Sequence, residues 1–309
     1  LLEKEHLPIT DKRPIWALVM GIEHERIHLE TSSVLMREMP LEFLCKPKEW
    51  PNFHSLKTDK NYPENKFITL SASKISLGKP QDFLTFGWDN EYGSETRHVR
   101  PFAATEFLIS NGEFLEFVKA GGYAQEKYWS HNGWAWRSFR NIKRPTFWVQ
   151  DGPAGSHLYK LRMIFEIVDM QLDLPACVNF HEAKAYCAWR SERDGGTPYR
   201  LLTEAEYNAI RDGKEHTYNN NLTTGGESPV NAFAANDKGF YDTFGNLWQW
   251  CEDHFHPLTG STPHPYYDDF STPCYDGEHQ MILGGSFIST GDEASQFARF
   301  HFRPHFFQH

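Results

Sequence analysis

The sequence predicts an α+β protein with one long N-terminal helix and a larger, irregular domain behind it. Two observations carry that reading. Residues 14–39, PIWALVMGIEHERIHLETSSVLMREM, place Trp16, Val19, Met20, Ile27, Val34 and Leu35 at broadly helical spacing. From Phe67 onward, short β-like runs alternate with turns and glycine stops. A 15% aromatic share over 309 residues favours a compact, loop-rich chain over a disordered one.

Pro14 suits the first turn of the helix, where its missing N–H costs nothing. Such a helix cannot bury an apolar stripe alone, so residues 1–50 are expected to be part of a helical bundle. Residues 51–66 are the expected linker, within a proline-rich connector over 40–64. The second domain is then 67–309. FITLSA, KISLG and MILGGSF read as strands; SNGEFLEFVKAGG (110–122) and NFHEAKAYCAWRSERDGG (179–196) read as two short helices ending in Gly-Gly.

A net charge of -10 without Lys/Arg clusters argues against nucleic acid and anionic membranes as partners. No apolar run approaches the roughly 20 residues of a membrane span. Five widely spaced cysteines with no CxxC argue against a disulfide framework and point to a reducing cytoplasm. The chain opens without Met and stops at FFQH, which suggests a fragment.

Within the helix, HERIHLE contains His-Glu-x-x-His. His24 and His28 lie four residues apart, project from one face, and can share a metal ion. Glu23, Glu25 and Glu30 are acceptors that could fix the ring tautomers from behind, Glu30 above all. Two ordinary ion-paired histidines are the simpler alternative. A zinc protease needs a third ligand, yet Thr31 and Val34 stand where one class carries Gly and His, and a proline-rich connector follows where another carries a helical Glu.

The second domain holds six stretches in order: FGWDNE, GGYAQEKYWSHNGWAW, NFHEAKAYCAW, RLLTEAEYNAI, FGNLWQWCED and MILGGSF. Together they resemble the formylglycine-generating-enzyme domain, a modified C-type-lectin fold. That enzyme uses cysteines near the end of the domain, where this chain has ARFHFRPHFFQH and none. A helix with HxxxHxE before such a domain resembles the nonheme iron sulfoxide synthases, in which a DinB-like bundle precedes it. GIEHERIHLETSSVL, YYDDFSTP, GEHQMILGGSFISTGDEAS and ARFHFRPHFFQH look like the ovothiol branch, the 5-histidylcysteine sulfoxide synthases.

The resemblance implies Fe(II) held by three histidines. Two map onto His24 and His28; the third belongs to an upstream helix, or is replaced here. It implies L-cysteine, L-histidine and O2 as substrates, and a C-terminal methyltransferase domain in many full-length members. It also implies a site tyrosine between the WQW and GGSF motifs, where Tyr266 and Tyr267 both lie and Tyr267 is favoured by spacing. Arg299 and Arg303 are candidate carboxylate forks, Asp268 and Asp269 candidate ammonium partners, and His301 and His305 candidate pocket walls. The alternatives are an ergothioneine- or selenoneine-type synthase using another sulfur or selenium donor, and a lectin-like binding module without catalysis. The site is expected where His24 and His28 meet the 266–269 loop and the 299–305 segment.

Overall fold

The computed structural model describes residues 6–52, 61–214 and 216–309. Helix α1 spans Pro14–Glu38 with proline in its first turn, as the sequence predicts. Five of the six residues of the expected apolar stripe face the domain: Trp16 and Val34 are buried, Val19, Met20 and Ile27 are half-buried against the Trp16–Phe86–Trp88 cluster, and Leu35 is 64% exposed. Glu23, Glu30, Ser33 and Arg37 are buried as well, so the helix also docks through polar partners, which apolar spacing does not show. No second helix of a bundle stands beside it among the described residues.

The larger domain is built from small antiparallel sheets. β1 (Phe67–Leu70) pairs with β4 (Phe102–Thr105), and β2 (Ser73–Leu77) with β3 (Glu95–Val99). β5 (Trp148–Gln150), β6 (Tyr159–Arg162) and β7 (Ile167–Asp169) form a third sheet. β8 (Gln249–His254), β9 (Gln280–Leu283) and β10 (Phe300–Phe302) form the fourth, with β9 central and buried at every position. MILGGSF is strand only as far as Leu283. Gly284 then turns with φ 101°, and a Cβ there would sit 2.4 Å from the Tyr207 hydroxyl.

Both predicted helices form: α2 (Asn111–Lys119) and α4 (Phe180–Arg193). Each starts on a reciprocal capping box, Ser110 with Glu113 and Asn179 with Glu182. Two further helices lie inside motifs to which the sequence reading assigns no element: α3 (His131–Phe139), capped by Ser130, and α5 (Glu204–Ile210), whose Thr203–Glu206 capping box is a readable signal. Helices α2 and α4 close over β5 and β6 through Phe114, Phe117, Trp148, Leu161, Tyr186 and Trp189. Helix α5 packs on β8 and β9 through Tyr207, Ile210, Cys251, Met281 and Leu283. These two cores hold rigid the surface on which α1 lies. No described helix is long and apolar enough to cross a membrane.

Candidate active site

Helix α1 is held along its length. The Glu23 carboxylate accepts the Asp292 N–H at 2.9 Å. Glu30 accepts the hydroxyls of Ser286 at 2.6 Å and Ser289 at 3.0 Å, just past the Gly284–Gly285 turn. Ser33 meets the His309 ring at 2.8 Å. Farther on, the Arg37 guanidinium pairs with Glu227 and lies 4.2 Å from the Phe147 ring centroid. Arg37 and Arg162 exchange bonds: Arg37 Nε donates to the Arg162 carbonyl at 2.7 Å, and Arg162 Nε to the Arg37 carbonyl at 3.1 Å. Arg162 also donates to the Met39 carbonyl at 2.7 Å, so its cation satisfies orphan carbonyls at the helix C-terminus.

This docking sets the rotation of α1 and so aims the histidines. His24 and His28 present their rings 4.5 Å apart, centroid to centroid, tilted by 57°. His24 is half-buried and His28 exposed. The Tyr267 hydroxyl lies 3.0 Å from His24 Nε2. Burial raises the Tyr267 phenol above its ordinary range, and the nearby Asp269 carboxylate adds to this, so the phenol keeps its proton. Two imidazoles and a phenol from elements 243 residues apart therefore converge.

The tyrosine loop is gripped at both ends by one residue. Asp89 accepts the His264 N–H at 3.2 Å through one carboxylate oxygen and the Ser271 hydroxyl through the other. The His264 ring stacks on Trp16 of α1 at 3.5 Å, and Phe270 stacks on Trp88 at 4.0 Å. FGWDNE, one of the six stretches that carry the resemblance, is thus the mount of the Tyr267 loop. Trp88, Asp89 and His264 were missed as site-shaping residues because their roles exist only across long sequence separations.

The other candidates fall into distinct places. Tyr266 is 76% exposed, with its ring 5.3 Å from that of His264. Asp268 and Asp269 are exposed on the loop beside the pair. Arg299 is 5% exposed and fully engaged: it pairs with Glu204 at 2.6 Å and donates to the carbonyls of Asn90 and His256. A guanidinium so committed has no fork left for a substrate carboxylate, which corrects the expectation for that residue. Arg303 pairs at the surface with Glu278 and Asp276. His301 sits with Cys274 and His279, and His305 is exposed and stacks on Phe306. Glu30 is a docking residue, with its carboxylate on Ser286 and Ser289 and not behind an imidazole. Besides His309 on Ser33, the 299–309 segment brings apolar groups to α1: Phe300 and Phe302 cluster with Ile27, and Phe307 with Val34. A 390 Å³ cavity lined by Phe102, Tyr186, Tyr199 and Trp250 lies elsewhere and includes neither histidine nor Tyr267.

The His24–His28 pair has the donor chemistry for a divalent first-row ion, since imidazole suits iron and zinc alike. Among the described residues, the converging groups of three metal-ligating side chains are Cys274, His279 and His301, and Asp212, His216 and Asp237; neither includes this pair. The pair thus supplies two donors and open positions.

Comparison with known proteins places this geometry in context. The sulfatase-modifying factor enzyme 1-like domain matches residues 52–309. Hercynine oxygenase from Mycobacterium tuberculosis is 28% identical over 218 residues, 64% of this chain and 48% of that protein. Ergothioneine biosynthesis protein 1 from Schizosaccharomyces pombe is 24% identical over 315 residues, 92% of this chain and 37% of that protein. The chain thus spans about half the length of the first of these relatives and less of the second. The structure of PvdO from Pseudomonas aeruginosa superposes with a TM-score of 0.50 at 20% identity, covering 78% of this chain and 90% of that one, which bears on fold alone. With the family match running through all four sheets and both cores, the chain belongs to the sulfatase-modifying factor enzyme 1-like domain family.

Proposed function

We propose that this chain carries the substrate-facing half of a nonheme Fe(II)- and O2-dependent sulfoxide synthase. The reaction joins L-cysteine to C5 of the L-histidine imidazole and gives 5-histidylcysteine sulfoxide. One thiol S–H and one imidazole C–H are lost, a C–S bond forms, one oxygen atom ends on sulfur, and the other leaves as water. The observation that carries the reading is the Tyr267 hydroxyl 3.0 Å from His24 Nε2, on a helix whose next turn supplies His28.

His24 and His28 hold the metal, with the third donor coming from outside the described residues, on further helices of a DinB-like bundle. Iron held there would supply the redox chemistry that couples thiol and oxygen. Holding reactants side by side is itself worth several kcal/mol of barrier. Tyr267, whose hydroxyl lies 3.0 Å from His24 Nε2, would pass a proton to the oxygen that is reduced. Asp268 and Asp269, beside it on the loop, take the substrate ammonium group. Trp88 and Phe270 form the dry wall behind the phenol.

A second substrate reading has its own support. The relatives named hercynine oxygenase favour a betaine of histidine with a different sulfur donor, as in ergothioneine-type chemistry. The test uses the full-length protein, purified without oxygen and loaded with Fe(II). Histidine with cysteine, and hercynine with cysteine or γ-glutamylcysteine, are then offered with O2, and products are weighed by mass spectrometry. The expected result is the histidine–cysteine sulfoxide, abolished in His24→Ala and His28→Ala. Coupling of hercynine alone transfers the proposal to the ergothioneine branch. No coupled product from any pair overturns it.

A further inference from the structure

We propose a second metal site, independent of the His24–His28 pair: Cys274, His279 and His301 bind Zn2+ and staple the Tyr267 loop to the central sheet. Their donor atoms, a thiol sulfur and two imidazole nitrogens, all lie within 4.8 Å of one another. Three different segments supply them. Cys274 ends the short 3-10 turn Thr272–Cys274 that follows the tyrosine loop, His279 immediately precedes β9, and His301 lies in β10 opposite Met281.

The surroundings are those of a ligand set. His279 Nδ1 lies 3.0 Å from both oxygens of Asp276, an arrangement that fixes the tautomer and leaves Nε2 for an ion. Asp276 is itself held by the N–H groups of Glu278 at 2.8 Å and His279 at 3.0 Å, and Arg303 lies 3.6 Å from it. His301 Nδ1 is buried with no hydrogen-bond partner, an orphan that costs free energy unless something binds it. Phe255 packs 4.1 Å from the His301 ring and walls the group on one side. One thiolate and two imidazoles suit zinc, with the fourth tetrahedral position left for water. The Asp212–His216–Asp237 group is a weaker candidate, because Lys214 already neutralises Asp237.

The test titrates the metal-stripped chain carrying His24→Ala and His28→Ala with Co2+ and Zn2+. One equivalent of Co2+ is expected to bind with a thiolate-to-cobalt absorption band, and Zn2+ to displace it. Adding Cys274→Ser should remove the band and weaken Zn2+ binding by at least about a hundredfold. Asp276→Asn, at a residue whose removal leaves the three ligands in place, should weaken it about 10–100-fold. Amide exchange across residues 262–276 should slow on adding Zn2+, and not in Cys274→Ser. Absence of the cobalt band, or equal Zn2+ affinity with and without Cys274, overturns the site. Because the histidine pair is removed from the start, failure here is separate from failure of the sulfoxide synthase reading.

Discussion

Arg37→Ala tests whether polar docking of α1 is what aims the histidines. Arg37 and Glu227 are each 2% exposed, so truncation leaves a carboxylate buried without its cation. Breaking a buried pair this way costs about 3–5 kcal/mol. Loss of the stack on Phe147 and of the bond to the Arg162 carbonyl adds roughly 1 kcal/mol each. The cost should be local. Amide exchange in residues 24–37 is expected to accelerate by about three and a half to five orders of magnitude, at about 1.4 kcal/mol per tenfold, while α4 keeps its protection. The double variant Arg37→Met, Glu227→Gln removes both charges and should restore most of the protection. Exchange in α1 that changes less than tenfold in Arg37→Ala would refute the reasoning, as would equal acceleration in α1 and α4.

Other expectations follow from single contacts. Tyr267→Phe keeps the packing on Trp88 and Phe270, so melting should shift by no more than about 1 kcal/mol in stability, while coupled product in the mass-spectrometric assay falls at least tenfold. Asp89→Ala frees both ends of the tyrosine loop and strands the Ser271 hydroxyl, which is fully buried. It should destabilise by about 1–3 kcal/mol and lower activity more than Tyr266→Phe does. Burial pushes the Glu182 carboxyl from 4.5 to about 7, against the donors Tyr123 and Asn179. The folded state therefore holds that proton more tightly than the unfolded chain. Its contribution of about 3 kcal/mol is present below pH 4.5 and lost as pH rises through 7. Denaturation of Glu182→Gln across this window should show a correspondingly flatter loss. Gly284→Ala meets both φ 101° and the Tyr207 hydroxyl, and should cost about 1–3 kcal/mol by thermal melting.

Local signals in the sequence were legible where local physics decides. Pro14, the Ser110 and Asn179 caps and the Gly-Gly stops mark real helix ends, and the strand runs at 67 and 73 are strands. The 266–267 loop was legible as the partner of the histidine helix, and Tyr267 is the tyrosine beside His24. The roles of polar residues were not. Arg299 and Glu30 read from sequence as site groups, and Arg37 drew no reading, yet each is buried against a partner 95 to 256 positions away. Nothing in a residue's neighbours announces a buried polar contact of that kind. The apolar stripe of α1 was legible at Trp16, Val19, Met20, Ile27 and Val34 and not at Leu35, whereas the hydroxyls and guanidinium groups that share the holding were not legible. Leu18 and Ile22 stay about half exposed.

The crossed bonds between Arg37 and Arg162 have a consequence for angular precision. A helix is a screw, and its side chains advance 100° with each residue. Sliding α1 by one residue against the domain would turn the imidazoles by that angle and carry His24 off the phenol. Two guanidinium groups that each reach for the other's carbonyl accept one register only, as a key accepts one phase of a gear. The clasp lies thirteen residues beyond His24, about 20 Å along the axis. It therefore indexes the histidines from a distance and leaves the space around them free for reactants.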